Sequence, residues 1–211
     1  MENKDMKLID KLVKPRNRIV LSRIVSVIII IFWINTKSYW QIHYPVFASL
    51  LFMVGVFMLA MGSLGRMWCS LYIAGYKNKK LVTAGPYSMT RNPLYFFSML
   101  GFIGFGFLTK TFLFPMIFLL IFILYYRNVI KKEEKDLLSL FEKEYKEYQK
   151  NVPLFIPKLS LFYDLDSYTV KPKIYFNHIK SAIWFIWLIG IVYVIETFQN
   201  TGYLSTWSIV F

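Results

Sequence analysis

Residues 44–65 read YPVFASLLFMVGVFMLAMGSLG, 22 positions without one charged side chain. At about 1.5 Å per residue, a helix of that length is roughly 33 Å long, enough to cross a bilayer's hydrocarbon core. Working outward, similar runs recur. Ile19 to Thr36 is interrupted only by Arg23, close enough to one end to snorkel. Asn92 to Thr109 and Thr111 to Tyr126 are separated by Lys110 alone, which predicts a tight antiparallel hairpin. Ser181 to Ile195 is a fifth, shorter run, after which Glu196 is the last charge. The pattern predicts an all-α integral membrane protein, multi-pass, with about five transmembrane helices.

The charges test that layout. Five spans leave six segments, of which residues 1–18, 66–91 and 127–180 hold six, five and eleven Lys/Arg. The alternate segments hold only Lys37 and Lys110, so the count is 22 against 2. Basic segments stay on the cytoplasmic side, which gives an N-inside, C-outside expectation. The net charge of +13 would suit a nucleic-acid binder if it lay on a solvated domain. Here it flanks apolar runs, so the expected partner is the lipid bilayer and no nucleic acid. The basic N-terminus resembles a signal peptide, but no small-residue cleavage site follows Trp33, and a retained anchor is expected.

Composition excludes further classes. Cys69 is the single cysteine, so no internal disulfide forms, and its place beside Trp68 suggests packing rather than nucleophilic work. His43 and His178 share no ligand spacing, and no metal site is expected. The 20 Phe, 15 Tyr and 6 Trp suit lipid-facing packing and interfacial belts. Gly101-Phe102-Ile103-Gly104-Phe105-Gly106 looks like a dinucleotide loop, but it lies inside a span with no preceding strand, so close helix packing is the better reading. No intramembrane acid pair or broken-helix repeat points to a transporter.

Two of the basic segments carry more than orientation. Residues 127–150 predict a helix continuing out of the fourth span, with Ile130, Leu137, Leu138, Phe141, Tyr145 and Tyr148 on one face and Asn151-Val152-Pro153 as its stop. Glu134 falls inside that apolar stripe, Glu133 at its edge and Glu144 near it. Arg127 lies on the same side two turns before Glu134. A carboxylate on a buried face needs a cation or a ligand. An Arg127–Glu134 ion pair, a solvated helix side and a binding role all satisfy the pattern. Residues 66–91 are mixed, with Trp68, Leu71, Tyr72, Ile73 and Tyr76 ahead of Lys77, Lys79 and Lys80. Gly85-Pro86 signals a turn, and Arg91-Asn92-Pro93 sets a cation, an amide and a helix start at the mouth of the third span. Such a start favours anions, although an interfacial loop with a snorkelling arginine reads equally well. Residues 158–178 predict irregular connection.

Taken together, LVTAGPYSMTRNPLY (residues 81–95) and residues 133–157 resemble the paired signature of the isoprenylcysteine carboxyl methyltransferase and phospholipid methyltransferase superfamily. The first family motif runs LVTxGPYxxxRHPxY. The second is an EE pair, a leucine, FGxxYxxY and VPxxIP, here Glu133-Glu134, Leu137, Phe141 to Tyr148, and Val152 to Pro157. The resemblance covers about residues 44–157 and implies a methyltransferase-like membrane core with the cofactor site. Residues 1–43 form a basic N-terminus and first span, and residues 158–211 a connection and last span. Two positions depart from the pattern. Asn92 replaces the motif histidine and cannot titrate, while Glu142 replaces the glycine after Phe141, a change expected to affect packing more than chemistry.

The resemblance implies methyl transfer from S-adenosyl-L-methionine to a lipophilic acceptor, a carboxyl, amine or thiol, at the cytoplasmic face of the membrane. It implies a cofactor set of Leu81, Val82, Tyr87, Arg91, Asn92, Pro93, Leu94, Tyr95 and Glu134. In that reading Arg91 and the helix start suit the cofactor's carboxylate, and Glu134 its ammonium or ribose. Arg127 is a candidate for orienting an anionic acceptor, so Arg127 and Glu134 are the expected catalytic residues. The alternative is a non-catalytic lipid-binding or interaction protein that keeps the scaffold.

Overall fold

The computed structural model describes residues 27–28, 30–76, 79–204 and 206–209. The basic N-terminus, Arg23, the start of the first run and Lys77 lie outside the described residues. Residues 30–34 are helical and lead into a short strand, Thr36–Ser38 (β1). Then come α1 (Tyr39–His43), α2 (Pro45–Ile73), α3 (Pro86–Met89), α4 (Pro93–Leu108) and α5 (Leu113–Asn151). A 3-10 turn at Leu159–Leu161, α6 (Pro172–Asn200) and β2 (Trp207–Ile209) complete the order. Proline opens α2, α4 and α6 within their first two positions, where its fixed φ suits the helix and its missing N–H has no intrahelical acceptor to lose.

Among the described residues α2, α5 and α6 are each long and apolar enough to cross a membrane, and α4 is a shorter apolar helix beside them. The surface of α2 explains why this is a membrane protein. Its outer stripe is Val46, Leu50, Met53, Phe57, Met61 and Leu64, all exposed, while Ala48, Leu51, Gly55, Leu59 and Gly62 are buried on the other side. A stripe of that kind is stable in hydrocarbon and not in water.

The chain departs from the sequence expectation in four places. The fold is not wholly helical, because β1 pairs in parallel with β2, Thr36 opposite Trp207 and Ser38 opposite Ile209. Both stretches leave the bundle at the same end with backbone groups that need partners. The second run does not stop at Gly65 but continues to Ile73, taking Arg66, Trp68 and Tyr72 into the helix. The last helix begins at Pro172, nine residues before Ser181, so the expected irregular connection ends earlier. The fourth run and the amphipathic segment do form one helix, α5, but it bends at Glu142, whose φ of 31° is left-handed.

Helix α4 packs most extensively against α2, and glycines make that approach possible. A β-carbon on Gly62 would lie 2.7 Å from the Gly101 backbone, and one on Gly104 would lie 2.6 Å from the Leu59 nitrogen. Without a hydrophobic driving force between lipid-immersed helices, such backbone contact supplies the dispersion energy. The hairpin between α4 and α5 turns at Lys110, which has φ 59°. Lys110 Nζ lies 2.8 Å from Glu196 of α6, and Ser38 Oγ donates to the Lys110 carbonyl at 2.6 Å. Gln199 Nε2 donates to the carbonyls of Trp33, Ile34 and Thr36. This polar knot fastens the end of the bundle at the C-terminus of α4. The other end of α4, about 24 Å away, carries the site described next.

Two outcomes follow from the packing. Gly62→Leu drives a side chain into the α4 backbone and lowers stability by about 1–3 kcal/mol, read as a fall in the thermal unfolding midpoint in detergent. Glu142→Gly relieves a left-handed position at the bend and raises stability by about 1 kcal/mol in the same measurement.

Candidate functional site

The loop after α2 turns at Gly85, whose φ of 60° and close fit against the Tyr72 ring exclude a β-carbon. The single turn α3 follows, and then Thr90-Arg91-Asn92 leads into α4. Residues 153–163 lie alongside this loop and bind it through main-chain hydrogen bonds. Arg91 N donates to Pro153 O at 2.9 Å, Lys158 N to Met89 O at 2.9 Å, and Gly85 N to Tyr163 O at 2.9 Å. Ser88 Oγ accepts from Tyr163 N. The segment that ends the second motif is therefore clasped to the first.

Side chains lock the clasp to α5. Arg91 Nε donates to Glu134 Oε1 at 2.8 Å and Nη2 to Oε2 at 3.2 Å, a forked pair. Nη1 donates to the carbonyls of Gln149 and Val152, at 2.8 and 3.1 Å. The two side chains are only 12% and 17% exposed, so solvent screens the pair little. The Asn92 amide donates to Leu154 O at 3.0 Å and Glu134 Oε1 at 3.4 Å. The non-titrating residue thus supplies two donors to two acceptors of the clasp.

Glu134 therefore pairs with Arg91 and not with Arg127, which is exposed and stands apart from the cavity wall. The pairing across 43 residues of sequence replaces the local i, i+7 pair that periodicity allowed. The stripe itself is as read: Ile130, Tyr145 and Tyr148 are buried and Leu137, Leu138 and Phe141 half-buried, whereas Glu144 is exposed.

Above the clasp lies a cavity of about 110 Å³ between the end of α2, the loop, the start of α4 and α5. Its walls include eight of the residues singled out from the sequence: Leu81, Val82, Tyr87, Arg91, Asn92, Pro93, Leu94 and Tyr95. Glu134 stands behind the wall, engaged with Arg91. Ile73, Tyr76, Lys80, Glu133, Leu137 and Tyr148 also line it and were not in that set. Signals for them existed in the apolar stripe, the EE pair and the basic cluster, but only the fold turns them towards one space. Tyr95 OH donates to Glu133 Oε2 at 2.6 Å, and Tyr148 OH to Tyr87 O at 2.6 Å. Burial pushes the Tyr87 phenol well above its ordinary pKa, reinforced by the nearby Cys69, Tyr148 and Glu133, so it stands as a neutral wall.

The cavity thus offers a cation (Lys80), a carboxylate (Glu133), four tyrosines and an aliphatic side, a set suited to a molecule carrying both charges and an aromatic base. Arg91 has little left to give, because four of its five N–H groups are spent on Glu134, Gln149 and Val152.

The fold is thus a helical membrane core with its two motif segments interlocked around one cavity. The chain belongs to the phospholipid methyltransferase family, whose profile matches residues 21–144, within the isoprenylcysteine and phospholipid methyltransferase superfamily. It is 34% identical over 189 residues to the cobalt-zinc-cadmium resistance protein CzcN of Cupriavidus metallidurans, covering 90% of this chain and 86% of that one. It is 35% identical over 191 residues to the nickel-cobalt-cadmium resistance protein NccN of Alcaligenes xylosoxydans xylosoxydans, covering 90% and 88%. No solved structure matches.

Because the Arg91–Glu134 fork is nearly sheltered, Glu134→Gln leaves an uncompensated guanidinium and costs about 3–5 kcal/mol. Arg127→Ala, on the exposed side of α5, stays within about 0.5 kcal/mol of the parent. Thermal unfolding of the two variants in detergent checks which arginine holds the acid.

Proposed function

We propose that this protein is an S-adenosyl-L-methionine-dependent methyltransferase acting on a lipophilic acceptor at the cytoplasmic face of the membrane. The observation that carries the reading is the shared cavity: eight of the motif residues expected to bind cofactor face one space between α2, α4 and α5. The cofactor supplies an electrophilic methyl group on a sulfonium. Lys80 and the free N–H groups at the start of α4 suit its carboxylate. Glu133 suits its ammonium or ribose hydroxyls. The rings of Tyr76, Tyr87, Tyr95 and Tyr148 favour a cation and stack a base. Leu81 and Val82 form the dry side. In this reading Arg91, Asn92 and Glu134 hold the walls rather than touch the reacting atoms. Arg127 remains a candidate for meeting an anionic acceptor at the surface.

Methyl transfer is an in-line displacement, so positioning and exclusion of water supply much of the rate. A carboxylate acceptor loses no proton. For an amine, Glu133 is the carboxylate that faces the cavity and the group placed to accept one. Without Arg66, which α2 takes in, the charge count falls from 22 to 21 against 2 and supports five spans with the N-terminus inside and the C-terminus outside. Lys80 and the basic half of α5 then share the cytoplasmic side with the cavity, and Lys37 and Lys110 lie opposite. The names of the two relatives extend the proposal to a part in resistance to metals such as cobalt and cadmium. Asn92 favours a second reading, a cofactor or lipid binder that has lost transfer.

Calorimetry of S-adenosyl-L-methionine binding in detergent, with labelled methyl transfer into lipid, protein and volatile fractions of membranes, separates the readings. Lys80→Ala and Glu133→Ala each weaken binding by about tenfold, and label enters the lipid or protein fraction. Binding with no label in any fraction supports the second reading. Absence of binding by folded protein overturns both cofactor readings.

A further inference from the structure

Arg66 is the single charged residue in the 29-residue helix α2, and neither the clasp nor the cavity uses it. It lies seven residues before Ile73 on the cavity wall, about 10 Å deeper along α2. A guanidinium on a membrane-crossing helix is costly in hydrocarbon unless it is partnered, so its surroundings matter. Three helices meet there, with α5 nearby. Nη1 donates to Ser98 Oγ of α4, the guanidinium carbon lies 5.8 Å from the Phe185 ring centre of α6, and Tyr126 of α5 is an electrostatic neighbour. The Ser98 hydroxyl hydrogen is already committed to Leu94 O at 2.7 Å, so Ser98 only accepts from the arginine.

The donors of the Arg66 fork are only partly used. The buried Nε has no hydrogen-bond partner, and among the described residues no carboxylate lies within ion-pair distance of Arg66. Snorkelling towards the cavity end does not account for the side chain. Helical side chains lean towards their own N-terminus, and Ser98 sits a full turn beyond the wall residue Leu94. A guanidinium held between α2, α4 and α6, bounded by an aromatic ring and with a donor left over, matches an oxyanion on an amphiphile.

We propose that Arg66 is an intramembrane binding residue for the anionic head, carboxylate or phosphate, of an amphiphile that enters between α2, α4 and α6 beneath the cavity. The cavity is close by: its wall residue Tyr95 lies 5.3 Å, ring to ring, from Tyr126, an electrostatic neighbour of Arg66. Binding stands by itself, whereas the further role, selecting the acceptor by its charge, rests on the methyltransferase reading. Arg66 is then a specificity residue that places the acceptor and takes no part in bond making.

The test uses the full chain in phosphatidylcholine nanodiscs with hexadecyl phosphate, hexadecanoate and uncharged hexadecanol as radiolabelled probes. Both anions bind one saturable site and displace each other, and hexadecanol binds about tenfold more weakly or worse. Arg66→Met and Arg66→Gln lose the anion preference while S-adenosyl-L-methionine binding, measured on the same preparations, is unchanged. Arg66→Lys keeps the charge without the fork and weakens anion binding several-fold, which decides the matter should the neutral variants fold poorly. Equal binding of anion and alcohol, anion binding undiminished in all three variants, or displacement by millimolar inorganic phosphate overturns the proposal. Arg66-dependent anion binding in a protein that binds no S-adenosyl-L-methionine would sink the methyltransferase reading and leave this site standing.

Discussion

A single guanidinium, that of Arg91, ties together three pieces of chain that are remote in sequence. Its fork holds Glu134 on α5, while Nη1 closes off the carbonyls of Gln149 and Val152 where α5 ends. Gln149 lies in the last turn of the helix and Val152 just after it, where carbonyls lack intrahelical donors, so a cation there satisfies both hydrogen bonding and the helix dipole. With the end of α5 fixed, residues 153–158 are delivered to the loop before α4, and the cavity walls follow. The low exposure of the pair makes the arrangement stiff: neither group can release the other without leaving a charge poorly solvated.

The bend at Glu142 belongs to the same construction. An unbroken α5 would carry its last turn straight away from α4. The break at φ 31° re-aims the segment so that Tyr145 and Tyr148 are buried and Tyr148 reaches the Tyr87 carbonyl. The family motif has glycine at this position, the residue that adopts left-handed φ at least cost. Glutamate here keeps the geometry because the clasp over-determines it. The departure that sequence alone assigned to local packing is a backbone matter.

At the opposite end, the Lys110–Glu196 pair and the Gln199 amide do for the bundle what Arg91 does for the site. Between the two polar ends the α2–α4 contact is built on glycine backbones, which allow a close approach and leave little room for sliding. The site is thus borne on a stiff pair of helices, with α5 and the loops arranged around one end.

Some of this was legible in the sequence. Uninterrupted apolar runs can satisfy their backbone only as helices in lipid, so the helical membrane architecture followed from residues 44–65, 92–109 and 111–126. The stripe Ile130 to Tyr148 followed from a period fixed by helix geometry, and the small residues of 101–106 announced close packing. What the sequence could not decide were relations between distant segments. Glu134 had an arginine at helical spacing, Arg127, and another 43 residues away. Periodicity speaks only about one helix, so it left a pair with Arg127 open beside a solvated face and a binding role until the chain was folded. Lys80, Glu133 and Tyr148 joined the cavity for the same reason: a wall is a property of several elements meeting, and charge, ring and amide take their partners from whichever segment the tertiary fold brings within about 3 Å.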